Sequence, residues 1–581
     1  MRKLVAVVVA VALLAAGAWW FFGRDGGLPG VGGGAATIAA DAPLDFVPAD
    51  TPYVFANLEP LPQAERERWM GQMDGVAAMW KSQIAVMRAR LAEQDDADAQ
   101  VVSRWVDALD AEFAGKSVEQ VVASLGASLE GHGAFYGVGL APVMRSELAD
   151  PDALRATVAR MEQRTGHTLA TASIDGIGYW YVALPGTTLR AIFAIQDRHL
   201  VITVGPGADD AALRTLLGIE RPARSLRDSG ALQALNATFG YLPVGGGYVD
   251  TARIADLLTS PATPLETALL AAIDVEKPAV DAACRSEAAL LATLVPRLSA
   301  GYTRIADGHM DMATRIETLP KIAADLQTLR TPMPGPRMAD DALFDFGIGL
   351  KVGALPAVLN AWADAAQAQT FACPQLADLN ATATQLRSGS SNAAIYTVAP
   401  VFSAMRLMLT RVDLDSMKAG TPDASGKILI ASGNPAALLS MAKNFAPEIA
   451  SIDLKPDGKV VAIPTLAANP LPLPVFAAMS PQVLALGVGA DQQAMLGADL
   501  ALDPAFQPLL VYGIDGTAYA DFMRFGMAQA AAAATTDAER KEAEDMGAMM
   551  HQLYSTWVKR IDVTVDVDAH GVVIEQRMRM P

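Results

Sequence analysis

The segment IDVTVDVDAHGVVIEQRMRM, Ile561–Met580, decides the kind of fold this chain adopts. Ile561, Val563, Val565 and Val567 alternate with Asp562, Thr564, Asp566 and Asp568. A period of two puts these sets on opposite sides of a strand. A turn near Gly571 follows, then a second apolar run. The pattern predicts a hairpin in an antiparallel sheet with one wet face. ADGHMDMATRIET, from Ala306, has the same arrangement around its glycine.

Working outward, a second pattern recurs. LVITVGPGADDAALRTLLG runs from Leu200 to Gly218, and VLALGVGADQQAMLG from Val483 to Gly497. Each is a strand-like run, a G-x-G-A-D turn and a short helical stretch ending in glycine. DPDALRATVARM from Asp150 is matched by NPAALLSMAKNF from Asn434, where Asp or Asn caps a helix that opens with proline. Asp175-Gly176 and Asp457-Gly458 are tight-turn signals. YVDTARIADLL and YGIDGTAYADFM put Asp250 and Asp515 between a strand and a helix. The expected fold is α+β: a tandem duplication of an antiparallel-hairpin-plus-helix domain behind one N-terminal transmembrane helix. The first half spans 44–328 with a helical insert at 62–115. A Pro-rich linker covers 329–339, and the second half spans 340–581.

The N-terminal 24 residues read as a membrane anchor. Arg2 and Lys3 precede an apolar run, Leu4–Phe22, long enough to cross the hydrocarbon core. Its basic end should stay in the cytoplasm. A cleaved signal peptide, with Ala16-Gly17-Ala18 as its small-residue site, is the competing reading. Residues 25–43 are a Gly/Ala-rich tether. This predicts a single-pass inner-membrane protein, partnered with the membrane through residues 4–22, with its bulk in the periplasm. There the two cysteines, Cys284 and Cys373, are expected to form a disulfide. The net charge of −18 lacks the basic footprint that nucleic acid requires.

Chemistry is harder to place. The glycines of the repeated joint, Gly205 and Gly207, Gly487 and Gly489, suggest a phosphate loop. The third glycine of G-x-G-x-x-G is missing in both copies, however, and Asp209 and Asp491 stand where an anion would sit. These six residues read as structural joints. The closest of the six histidines are too far apart for a local metal pair, and no G-x-S-x-G elbow occurs. No catalytic, cofactor or metal residue is assigned. Asp250 and Asp515 read as helix caps or weak surface candidates. Trp180, within Tyr179-Trp180-Tyr181, is a candidate for an exposed aromatic surface.

FVPADTPYVFANLEPLP, from Phe46, and the DPDALRATVARM region resemble an uncharacterised bacterial envelope-anchored family, a domain of unknown function. The resemblance implies no activity. The leading expectation is a non-catalytic, inner-membrane-anchored scaffold or envelope assembly protein with an envelope protein partner. The alternatives are a binding protein for a lipid or other apolar ligand, and a hydrolase whose active site assembles from distant residues.

Overall fold

Two-residue turns set the hairpins. Asp175 and Gly176 both have positive φ, 48° and 83°, which is the backbone that matches the right-handed twist of flanking strands. Asp307-Gly308 does the same at 50° and 76°. The computed structural model describes residues 41–581, apart from most of 73–96 and residues 273–280, 400, 419–422, 446–451, 464–472 and 581. The chain divides into two units between Thr314 and Arg315.

The first unit carries β1 (Tyr53–Ala56), β2 (Gly133–Val138), β3 (Ala141–Glu147), β4 (Ala170–Ile174), β5 (Ile177–Ala183), β6 (Leu189–Gln196), β7 (His199–Pro206), β8 (Gly246–Asp250), β9 (Arg297–Ala306) and the part of β10 (His309–Glu317) up to Thr314. Their order is β4-β5-β6-β7-β3-β2-β1-β8-β9-β10. Helices Asp210–Leu217 and Ala231–Phe239 cover one face through Leu213, Leu216, Leu217, Leu232 and Leu235, packed on Ile192 and Val201. On the other face Leu154 and Val158 of helix Pro151–Thr165 meet Ile195, Leu200 and Trp180.

The second unit carries β11 (Phe344–Gly349), β12 (Ala404–Asp413), β13 (Asp423–Ala431), β14 (Val461–Ala462), β15 (Val475–Met479), β16 (Val483–Val488), β17 (Leu510–Asp515), β18 (Arg560–Asp568) and β19 (Gly571–Arg579). These run antiparallel in the order β14-β15-β16-β13-β12-β11-β17-β18-β19. Leu329, Met333 and Ala339 of the Pro-rich 329–339 stretch are buried in this unit, and Pro334 bridges to Leu502.

The fold is thus mixed α+β with open antiparallel sheet, and two parts of the expectation need correction. Among the described residues no helix is long and apolar enough to cross a membrane. Even the two longest are unsuited. Gly516–Ala533 carries Asp521 and Arg524, and Asp537–Trp557 opens with a dense run of charges. The segment 4–22 lies outside the described residues. The transmembrane helix, the signal anchor, the membrane partner, the inner-membrane and periplasmic placement, and the anchored-scaffold function built on them are therefore withdrawn.

The tandem duplication is not shown either. Asp209 caps an eight-residue helix through Ala212 N at 3.1 Å, and Gly218 closes it at φ 75°. Asp491 is itself helical and caps nothing. Its carboxylate accepts from Ser425 Oγ instead, at 2.7 Å, and only Gln492–Met495 is α-helical before a 3₁₀ turn. Asp175-Gly176 closes a hairpin between five- and seven-residue strands. Asp457-Gly458 leads only into the two-residue β14. Equal letters at these turns meet different neighbours, so their geometry diverges.

Candidate functional site

The second unit's sheet buries one face, where Met408, Leu429, Val483 and Val511 form the core. Small and charged groups share that face: Gly347, Gly513, Ala404, Ser425, Asp345, Arg406, Lys427, Arg560 and Asp562. Strand alternation and the register place them together. The charges are satisfied locally. Arg406 donates to both Asp345 oxygens at 2.8 and 2.7 Å and to the carbonyl of Pro336. Lys427 pairs with Asp499 at 2.6 Å, and Arg560 with Asp562 at 2.8 Å.

The opposite face is apolar, in rows that cross seven strands. One row runs Leu484, Ile430, Met405, Ile348, Leu510, Val565, Ile574. The next runs Leu486, Ile428, Leu407, Phe346, Tyr512, Val563, Gln576. A third includes Val488, Leu409, Phe344, Ile514, Ile561 and Met578. No residue in these rows is buried. At the centre Ile348 is 39% and Leu407 36% exposed. At the β16 end Leu484, Leu486 and Val488 pack, with Leu439, on the buried cluster of Leu454, Val475, Ala477 and Met479, so the uncovered part runs from β13 to β19. Large apolar side chains on inner strands normally form the core, and a contiguous, partly exposed apolar face of this kind marks an interaction site. Phe344 meets Tyr512 edge-on, with ring centroids 5.8 Å apart. Near that end Tyr519 packs on Tyr554, where helices Gly516–Ala533 and Asp537–Trp557 begin and end. Burial pushes the Tyr512 and Tyr554 phenols up, so both stay neutral and suit an apolar surface.

The first unit supplies a polar row. Gln196, His199, Glu147 and His132 lie side by side on β6, β7 and β3 and at the start of β2. Glu147 accepts from His132 N at 2.7 Å, and His132 holds its carboxyl below the usual range. Desolvation, with the nearby Arg145 charge, drives His199 down to about 4. The row has a base and an acid but no nucleophile. Ser146 sits between Arg145 and Glu147 in β3, so its hydroxyl points to the other face. Among the described residues no three His, Cys, Asp or Glu side chains gather to hold a metal.

The residues singled out from sequence are dispersed. Asp250 accepts from Arg253 N and Asp515 from Ala518 N, both at 2.9 Å, each at a helix start. Gly205 packs against Leu213, Leu216 and Ile192, and Gly487 against Gln492 and Leu496. Gly207 faces Arg190, and Gly489, at φ 107°, faces Ser425. Trp180 stacks on Phe193 with centroids 5.1 Å apart. Cys284 and Cys373 are buried, and each is disulfide-bonded. The apolar face escaped the sequence reading. Its signal was present in FDFGIG, where Phe344, Phe346 and Ile348 alternate with Asp345, Gly347 and Gly349. Alternation alone does not say which side is covered.

Compared with known protein families, curated proteins and solved structures, the chain matches none.

Proposed function

We propose that the second unit binds an apolar ligand of the long-acyl-chain class, laid across the open face of its sheet. The observation that carries this is the triple row of unburied aliphatic and aromatic side chains centred on Ile348, Leu407 and Phe346. Five spacings of about 4.8 Å, from β13 to β19, make the open face about 24 Å wide, enough for an extended acyl chain. Covering about 300 Å² of it would supply about 7–8 kcal/mol before association costs. The face carries no charge in its rows, so it selects for the chain and not for a head group.

Titration with a fluorescent fatty acid, dansyl-undecanoic acid, tests the reading. The native protein is expected to bind it saturably at micromolar concentration. Leu407→Glu and Ile348→Glu should each weaken binding at least tenfold with unchanged circular dichroism, because a carboxylate on that face must be desolvated to admit the chain. No saturable binding by the native protein, or equal binding by both variants, overturns it.

A further inference from the structure

Helices Gly516–Ala533 and Asp537–Trp557 form one antiparallel arm inserted between the adjacent strands β17 and β18. They approach closely at Gly547, where an added Cβ would sit 2.9 Å from Met527 Cβ. Ala520 and Ala531 are buried. At about 100° per residue they share one face of the first helix with Met527, and that face is turned to the second helix. Asp521 and Tyr519 then lie on opposite flanks of it. Contacts across the arm fix both flanks. Asp521 meets His551 Nε2 at 3.3 Å on one side. Tyr519 meets Tyr554 on the other, with ring centroids 4.4 Å apart.

The two flanks differ in chemistry. The Asp521 flank carries Arg524, Glu544 and His551. The Tyr519 flank carries Met523 on the first helix and Met546, Met550 and Trp557 on the second, and from Met546 to Trp557 it holds no charge. Met546 is 39% exposed, and the other three are half-exposed. That stretch is about 16 Å long at 1.5 Å per residue. It also continues the open face of the sheet. Tyr512 belongs to the middle apolar row, beside Phe344. Its phenol lies near enough to Tyr519 and Tyr554 for all three to interact. The root of the arm is therefore aromatic where it joins the open face, and the methionines follow along the arm. Methionine is unbranched and polarizable, so a methionine surface moulds to a flexible chain.

We propose that Met523, Met546, Met550 and Trp557 are the second wall of the apolar site, so that an acyl chain lies in the angle between the arm and the sheet. This role of the arm rests on the acyl-chain reading of the open face.

Methionine oxidation by dilute hydrogen peroxide, read residue by residue by peptide mass spectrometry, tests it on the full chain with and without saturating dansyl-undecanoic acid. Met546 and Met550 should oxidise at least threefold more slowly with the ligand. Met161, half-exposed in the first unit, should not change. The double variant Met546→Gln, Met550→Gln should keep its circular dichroism and bind the probe at least fivefold more weakly. Equal oxidation rates in a native chain that binds saturably, or a double variant that binds as tightly, overturns the wall and leaves the acyl reading standing. No saturable binding by the native chain removes that reading and the wall with it. Protection that rises with protein concentration in the absence of ligand means that a second copy covers the flank, and this too overturns the proposal.

Discussion

His199 shows how much one side chain can bind stability to pH. It is buried on β7 against the edge of Phe46, with ring centroids 5.4 Å apart. Desolvation and Arg145 depress its pKa from 6.5 to about 4, against the weaker opposing pull of Glu147, Asp197 and Asp41. Above the unfolded value both states are neutral, and the stability is fully present. As pH falls through the window from 6.5 to 4, the unfolded chain takes a proton that the native one refuses. Roughly 3 kcal/mol of stability should be lost there, and the loss should level off below it. Denaturant unfolding followed between pH 7.5 and 4 should show this slope, and His199→Asn should flatten it. Glu112 works in a lower window. Arg160 and Lys116 hold it down to about 2, so its contribution is lost only as pH drops from about 4.5 toward 2. Neither residue was visible as special in the sequence. Their partners come from strands and helices distant in the chain, and only packing removes their water.

At the scale of elements, alternation proves that a strand exists without proving which of its faces is inside. Ile561, Val563 and Val565 were expected to leave water while Asp562, Asp566 and Asp568 stayed in it. Instead the aliphatic residues are half-exposed, and the acids pair with Arg560, Arg330 and Arg315. Neighbouring strands make the difference measurable. Leu429 on β13 faces the covered side at 0% exposure, whereas Leu407 on β12 faces the open side. Leu429→Ala should cost about 2–5 kcal/mol and Leu407→Ala well under about 1 kcal/mol, read from urea midpoints. Equal losses would mean that the open face is really core. Helix starts, by contrast, were legible. Asp250 and Asp515 accept the free N–H groups at their helix starts, and replacing either by alanine should cost about 1 kcal/mol. Asp491 stands in the same sequence position as Asp209 but caps no helix, because its carboxylate finds Ser425, a contact 66 residues away in sequence.

For the whole molecule, the two cysteines give the simplest check. Neither is free, so the unreduced chain in denaturant should take up no alkylating reagent at Cys284 or Cys373, and full modification should need prior reduction. Mass spectrometry of the alkylated chain reads the result directly. Beyond that, the amino-acid order by itself determined the strands, the Asp-Gly turns, the capped helix starts and the acidic charge. All of these follow from bonds and propensities within a few residues of each other. Tertiary structure alone decided that Phe346, Leu407 and Ile348 stay near water while Arg406 and Lys427 go beneath the sheet. Burial and charge pairing depend on which distant segment covers which face, and a period of two is the same read from either side.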